Sequence, residues 1–305
     1  MRILLALDGS DPSLLARDLV ANTRWPPETA VHVVEAFTVP VCWTGGIGSG
    51  IDWVGEVEDA VADRTVERLE ALSQPLDAAG LSVETEAIRG RAADVIVETA
   101  AQTGADLIVT GSRGLGRLRS MLLGSVAAEV AARAACPVLV ARAPRVSRLL
   151  VATDGSASAG IISERLCAWG SFAGLPADVI AVAVPDAPAY ELMVSLYTLG
   201  DERQARQHRE IQERAGVDAE DMARRLGEIG IPSTPHVRAG DPAPEILAAA
   251  ADRGADLIVT GSRGLGGIDR VLLGSVARNI VTHARCSVLV VRGPGSKRQP
   301  KEATR

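Results

Sequence analysis

Short aliphatic runs alternate with longer amphipathic stretches along the whole chain. Runs of four to eight residues rich in Val, Ile and Leu are typical of buried strands, whereas apolar residues every three or four positions predict helices. In the first half the pattern predicts strands at 3–7, 31–36, 81–88, 107–110 and 138–141. It predicts helices at 54–79, 92–103 and 125–134. A further helix opens at Asp11-Pro12, where Asp11 can cap the helix and proline suits the first turn.

The same pattern returns in the second half because the chain contains an internal repeat. GADLIVTGSRGLG occurs at 104–116 and again at 254–266, and LLGSVA at 122–127 and 272–277. Strands are predicted at 149–153, 179–184, 233–238, 257–260 and 288–291, and helices at 199–229, 243–253 and 275–284. Each copy therefore spans about 145 residues.

Strands that alternate with helices predict right-handed βαβ crossovers and a parallel sheet covered on both faces. We predict an α/β fold of two tandem doubly wound domains, 1–144 and 147–293, followed by a disordered tail at 294–305. The ligand crevice of such a sheet lies at the carboxyl ends of its strands, near the point where the strand order reverses. Residues that directly follow strands are therefore the ones expected to carry the chemistry.

A glycine-rich loop follows the fourth predicted strand of each copy. The two loops read Gly111-x2-Gly114-x9-Gly124-Ser125 and Gly261-x2-Gly264-x9-Gly274-Ser275. Glycines allow a ligand close to the main chain, successive N–H groups form an anion-holding concavity, and a helix N-terminus favours phosphate. The alternative is that these glycines only make a tight turn and a helix start. The Lys-Ser/Thr pair of Walker A and the spacing of G-x-G-x-x-G are both missing, so this would be a different phosphate loop.

These motifs closely resemble the universal stress protein family, in its tandem form and its ATP-binding subclass. Both copies match the family's signature G-x2-G-x9-G-[S/T] without a gap, and the resemblance covers residues 1–293. It implies Rossmann-like domains, similar to adenine nucleotide alpha hydrolases, each with five strands in the order 3-2-1-4-5. It also implies ATP binding, often with Mg²⁺, and pairing of domains through their fifth strands.

The resemblance also implies a role for individual residues. Asp8 and Asp154, which close the first strand of each copy, would reach the ribose or the metal-bound phosphates. Gly111 and Gly261 would lie near the ribose. The phosphates would be held by Gly114, Gly124, Ser125, Gly264, Gly274 and Ser275. A backbone contact to adenine would come from Val33 at the end of the second strand, and its match in the second copy slides between Val182 and Ala183.

The residues alone leave Asp8 and Asp154 with two interpretations. Both follow a strand expected to be central and so lie in the crevice, where they could contact a ligand or metal. The alternative is an N-cap or an Asx-turn before Gly9 and Gly155. Arg113 and Arg263 could equally touch phosphate or stay solvated.

The composition of the chain limits which classes of macromolecule it is expected to bind. The net charge is −6 and the sequence pI is about 5.4, which argues against nucleic acid and anionic membranes as partners. No apolar run reaches the length of a membrane span, and the four cysteines form no C-x-x-C pair. We therefore expect a cytoplasmic protein.

No candidate base, nucleophile or metal cluster recurs in both copies, so the sequence favours a nucleotide-dependent binding module with at most slow ATP hydrolysis. The alternatives are an enzyme that hydrolyses ATP or transfers adenylyl groups, and a scaffold with vestigial sites. The uncharged fifth strands would be sheet edges that invite pairing between the two copies, and a homodimer is a further expectation.

Overall fold

A computed structural model of the chain describes residues 1–38, 52–114, 123–184, 202–262 and 273–293. Most of the two divergent loops, at 39–55 and 185–200, lies outside the described residues, as does the predicted tail at 294–305. Not one of the described helices combines the length and the apolarity that crossing a bilayer requires.

Each predicted strand and helix is present within a few residues of its expected bounds. The strands of the first half are β1 (Arg2–Ala6), β2 (Ala30–Phe37), β3 (Ser82–Arg89), β4 (Leu107–Gly111) and β5 (Val138–Ala141). Its helices are α1 (Asp11–Asn22), α2 (Asp52–Ala78), α3 (Ala92–Thr103) and α4 (Ser125–Arg133). The second half, which runs from the next strand onward, repeats this order.

The strands of the second half are β6 (Leu149–Thr153), β7 (Ala177–Ala183), β8 (Ser233–Ala239), β9 (Leu257–Gly261) and β10 (Ser287–Val291). Its helices are α5 (Ala157–Trp169), α6 (Glu202–Glu228), α7 (Pro242–Arg253) and α8 (Ser275–His283).

All ten strands form one sheet in the order β3-β2-β1-β4-β5-β10-β9-β6-β7-β8. Within each half the strands are parallel and the order is 3-2-1-4-5, as predicted. The strand order reverses between β1 and β4 in the first half and between β6 and β9 in the second. A crevice therefore opens at the carboxyl ends of each of these pairs.

The two halves are joined through their fifth strands, which confirms the predicted intrachain pairing. β5 and β10 run antiparallel, with Leu139 opposite Leu289. Arg142 crosses this seam and donates from Nη2 to the carbonyl of Val281 at 2.6 Å, while Arg292 donates to the carbonyl of Ala132 at 3.2 Å. Each guanidinium thus meets the C-terminal carbonyls of a helix in the other half, where a cation is favoured. Burial lowers the pKa of Arg142 to about 10.

One hydrophobic core lies on each face of the sheet, and both run through the two halves. Helices α1, α2, α5 and α6 cover one core, and α3, α4, α7 and α8 cover the other. Strand residues alternate between them: Ile3 and Leu5 point into the first, and Leu4 into the second. This layering fixes the helix starts relative to the strand ends.

The start of α1 corrects one detail of the sequence prediction. Ser10, not Asp11, caps the helix, since its backbone is extended and its Oγ accepts a hydrogen bond from the N–H of Ser13 at 3.4 Å. Asp11 is the first helical residue and Pro12 lies in the first turn. The turn after β1 brings the chain into the helix one residue earlier than expected.

Candidate functional site

The turn after β1 is built around the carboxylate of Asp8. Its Oδ1 accepts hydrogen bonds from the N–H of Ser10 at 3.0 Å and from Ser10 Oγ at 2.5 Å. This is the Asx-turn that the sequence left open as an alternative. Oδ2 lies on the other side, where a Cβ placed on Gly114 would come within 2.5 Å of it. The structure therefore brings Asp8 and Gly114 into direct contact at the crevice.

Gly111 has a packing role that accounts for its identity without a ligand. A Cβ at this position would lie 2.5 Å from the carbonyl carbon and oxygen of Pro12 and 2.7 Å from the nitrogen of Ser13. These are main-chain atoms of α1, which cannot move aside as a side chain would. Only glycine allows α1 to approach β4 this closely.

The loop between β4 and α4 is fixed by backbone hydrogen bonds at both ends. Ser112 donates its N–H to the carbonyl of Ala141 at 3.1 Å, and Gly124 donates its N–H to the carbonyl of Ser112 at 2.7 Å. A Cβ on Gly124 would lie 3.2 Å from the Cα of Arg113. The start of α4 is thus held directly against residues 112–114.

Helix α4 begins without a side-chain cap. Gly124 is its N-cap and has no side chain that could cap the first turn, and Ala128 donates the first intrahelical bond, to the carbonyl of Gly124 at 3.0 Å. Ser125 is the first helical residue and is exposed. The N–H groups of the first turn therefore point out of the helix with the partial positive charge that a helix start carries, an arrangement suited to an anion.

The second half repeats the main-chain hydrogen bonds of this scaffold. Ser262 donates to the carbonyl of Val291 at 2.9 Å, and Gly274 donates to that of Ser262 at 2.9 Å. Gly274 is the N-cap of α8, again without a side-chain cap, and Ser275 follows it. Asp154 makes the same turn as Asp8, its Oδ1 accepting the N–H of Ser156 at 3.1 Å.

Of the other two loop glycines of this half, the structure describes one. Gly261 ends β9. Gly264 lies outside the described residues, together with Arg263.

The predicted position of Val33 at the end of the second strand is wrong. β2 continues to Phe37, and Val33 lies in its interior opposite Leu5 of β1 and Thr85 of β3. The main-chain N–H and C=O of an interior strand residue are hydrogen-bonded to the neighbouring strands, so they are not available to an adenine ring. The strand end, where the crevice opens, is at Ala36 and Phe37.

An ion pair that the sequence pattern did not predict borders the first crevice. Glu35 of β2 is buried and its Oε1 accepts a hydrogen bond from Nη2 of Arg68 on α2. Burial raises the pKa of Glu35 and nearby Asp8 raises it further, whereas Arg68 lowers it. The sequence does show that Glu35 is a charged residue inside an aliphatic run, which indicates a buried charge. Its partner could not be identified from the sequence because Arg68 is 33 positions away.

The second half has a polar cavity of about 210 Å³ beside its crevice. Thr153, Gly155 and Ser156 line one side, and Asp218, Asp221 and Arg225 of α6 line the other. A Cβ on Gly155 would come within 2.2 Å of Asp218 Oδ1, so this carboxylate lies directly on the turn that follows Asp154. The described residues contain no group of three His, Cys, Asp or Glu side chains arranged to hold a metal ion.

Comparison with known proteins identifies the family. The Universal stress protein family matches residues 1–142 and 146–292, which together cover nearly the whole chain. The chain belongs to the universal stress protein family. Universal stress protein Rv2005c of Mycobacterium tuberculosis is 29% identical over 313 residues, which cover 95% of this chain and 96% of that protein.

Solved structures of universal stress proteins share the fold. A universal stress protein from Archaeoglobus fulgidus covers 96% of this chain and 96% of its own, with a TM-score of 0.63 and 22% identity. A universal stress protein solved in complex with cAMP is 26% identical and covers 46% of this chain and 94% of its own, with a TM-score of 0.31. The family match and the Archaeoglobus fulgidus structure together show the α/β architecture with two Usp domains.

Proposed function

We propose that this universal stress protein binds ATP with Mg²⁺ in two crevices, one in each of the domains 1–144 and 147–293. Bound nucleotide would set the conformation of the protein or its choice of protein partner in a stress response. The observation that carries the proposal is the start of α4, a helix N-terminus with a glycine N-cap that lies against Arg113 and Gly114, with Asp8 on the other side of Gly114. The same scaffold at α8 supports a second site.

The residues at the first crevice fit the phosphates of a nucleotide. In the proposed complex Gly114, Gly124 and Ser125 hold the phosphates through main-chain N–H groups and the serine hydroxyl. Gly264, Gly274 and Ser275 have this role in the second half. The glycine positions leave the main chain open, because a side chain at Gly124 would fill the space beside Arg113.

Asp8 and Asp154 are the proposed contacts to Mg²⁺ or to the ribose. Mg²⁺ bound to a nucleotide usually takes one or two carboxylates, with phosphate oxygens and waters completing its shell. Asp8 fits this pattern, since Oδ1 is used by the turn and Oδ2 faces the glycine loop. The ion would neutralise phosphate charge at the site. Gly111 and Gly261 would border the ribose.

The test is to extract and quantify the nucleotide that copurifies with the chain and to titrate Mg-ATP into the emptied protein. We expect ATP, at up to two per chain. Gly124→Val and Gly274→Val should each remove one site, with binding at that site weakened about 100-fold. Gly227→Val is the matched control, because this exposed helical glycine has open space around it.

We expect at most slow hydrolysis of the bound ATP. Several turnovers per second would overturn the binding-module proposal in favour of an enzyme. Absence of any nucleotide in both assays would overturn nucleotide binding itself.

We further propose that the protein acts in the cytoplasm and that two chains can form a homodimer. Both fifth strands are already paired within the chain, so a homodimer has to use another surface. Light scattering over a range of concentrations tests this, and a concentration-independent monomer would contradict it.

A further inference from the structure

Glu35 stands at the level of the sheet where the first crevice begins. The last residue of β1, Ala6, lies opposite Val34, and the N–H of Leu7 still bonds to the carbonyl of Val34 at 3.0 Å. Glu35 is the next residue of β2 and therefore lies beside the point where the chain leaves β1 toward Asp8. Its side chain points to the α2 side of the sheet, where Arg68 meets it.

The two carboxylate oxygens of Glu35 have unequal surroundings. Oε1 accepts the bond from Arg68, but Oε2 is buried and has no hydrogen-bond partner in the part of the chain that the structure describes. The residue as a whole is 8% exposed. A buried oxygen without a donor is costly, and such an atom beside a crevice commonly indicates a ligand group or ion that completes it.

The second half lacks both members of this pair. In the repeat, Ile3 corresponds to Leu149. Ile3 pairs with Val31 and Leu149 pairs with Ala177, so Val31 corresponds to Ala177. Four residues further along the same strands, Glu35 therefore corresponds to Ala181. The counterpart of Arg68 is Asp218. Each of them lies against the glycine that follows the aspartate of the first strand in its own half. A Cβ on Gly9 would come 3.3 Å from Nη1 of Arg68, and a Cβ on Gly155 would meet Asp218.

We propose that Glu35 Oε2 accepts a hydrogen bond from a ribose hydroxyl of the nucleotide in the first crevice, and that the second crevice binds its nucleotide without this contact. The inference rests on the proposed nucleotide binding. Glu35 would then recognise the ribose of the nucleotide in the first half, and the second half would have no equivalent residue.

The position of Glu35 in the sheet indicates which hydrogen-bond donor of a nucleotide would reach it, namely a ribose hydroxyl. Phosphates at the start of α4 lie on the β4 side of β1, whereas Glu35 lies on the opposite, β2 side. A carboxylate repels phosphate but accepts hydroxyl hydrogens. In related doubly wound sheets, an acidic residue near the end of the second strand accepts the ribose 2′-hydroxyl. A nucleotide that extends from α4 across the carboxyl end of β1, and so from the α4 face to the α2 face of the sheet, would bring its sugar to this position.

The experiment measures how well the first site distinguishes ATP from 2′-deoxy-ATP and 3′-deoxy-ATP. Gly274→Val silences the second site, and dissociation constants are compared with and without Glu35→Ala, which installs the residue that the second half carries naturally. Glu84→Ala, on the exposed side chain of a neighbouring strand, is the matched control. Inosine triphosphate is included because it lacks the adenine amine.

The parent and the Glu84→Ala variant should bind one of the two deoxynucleotides about tenfold more weakly than ATP, which corresponds to about 1.4 kcal/mol. Glu35→Ala should bind ATP and that deoxynucleotide within about twofold of each other. Without nucleotide, Glu35→Ala should change the melting temperature only modestly, because loss of the bond to half-exposed Arg68 is offset by removal of a buried oxygen that has no donor among the described residues.

Three results would overturn the inference alone, with ATP still bound. They are equal binding of all sugars by the parent, discrimination that survives Glu35→Ala, and a Glu35-dependent preference for adenine over hypoxanthine, which would place the contact on the base. Failure of the parent to bind any nucleotide would overturn the proposed function as well.

Discussion

The two crevices share their main-chain hydrogen bonds and differ in the side chains around them. In both halves a serine after the fourth strand binds the fifth strand and receives the N–H of the helix N-cap glycine. In both, the aspartate after the first strand makes the same turn with a serine two residues on. Beside that turn, however, the first half has Arg68 paired with Glu35, and the second has Asp218 with Ala181 nearby.

This difference separates what the fold requires from what each site can vary. The shared bonds depend on main-chain atoms and on glycines that permit close approach, so any change there disturbs the helix start itself. Glu35 of β2 and Arg68 of α2, by contrast, border the crevice and take no part in these main-chain bonds. Duplication could therefore keep two anion-binding scaffolds while the sites acquired different local charge.

The largest effect is expected from a change to the shared scaffold. Gly111→Ala should lower the free energy of unfolding by about 3 kcal/mol, because its Cβ would meet rigid main-chain atoms of Pro12 and Ser13. Urea denaturation measures this, with Gly55→Ala as the control because nothing lies within 4 Å of a Cβ there. A Gly111→Ala protein as stable as the control would mean that α1 is not packed as described.

A smaller effect is expected at the opposite edge of the sheet, where the halves also differ. Asp178 at the start of β7 is buried and bonds to Arg148 Nη2 at 2.8 Å and to His236 Nε2 at 2.9 Å. The counterpart pair in the first half is reversed, with His32 on β2 lying 2.9 Å from the half-exposed carboxylate of Glu86.

Asp178→Asn should therefore cost about 2 kcal/mol of stability, because hydrogen bonds to a buried charge are lost. Glu86→Gln should cost less than about 1 kcal/mol, because exposed ion pairs contribute little. Thermal or urea unfolding of both variants measures the difference. Equal costs would show that burial of the carboxylate does not distinguish the two halves.

The smallest effect is a transfer of sugar recognition between the crevices. With the first site silenced by Gly124→Val, the double variant Ala181→Glu/Asp218→Arg should give the second site an up to tenfold preference for ATP over one deoxynucleotide. The grafted pair reproduces the carboxylate and the guanidinium that holds it in the first half. Titration calorimetry checks this against Ala181→Glu alone, and no gain in the double variant would mean that more than this pair sets the difference.

The repeat and the strand pattern were sufficient to predict two parallel α/β copies, whereas the strand order 3-2-1-4-5 came from the family resemblance. Aliphatic runs such as 107–110 and 138–141 are buried strands because a parallel sheet covered on both faces leaves them no polar side. Given that order, the apolar, uncharged character of the fifth strands predicted that they pair, and the structure shows that they do so antiparallel. Elements with strong local signals were therefore placed correctly to within a few residues.

Features that depend on contacts between distant segments were not predictable from local pattern. Val33 was assigned to a strand end by the family resemblance alone, although the strand predicted at 31–36 already placed it in the strand interior. The packing of Gly111 against Pro12 and the bond between Glu35 and Arg68 both join elements separated by turns and helices. Only the register of the sheet and the positions of the helices reveal them.

The central claim is that main-chain amides at the starts of α4 and α8 hold the phosphates of two nucleotides. A crystal structure of the chain soaked with excess Mg-ATP tests it most directly. We expect phosphate density against Gly124–Ser125 and against Gly274–Ser275, within hydrogen-bond distance of the first-turn N–H groups. Two helix starts that stay empty and closed by the glycine loops under these conditions would contradict the claim.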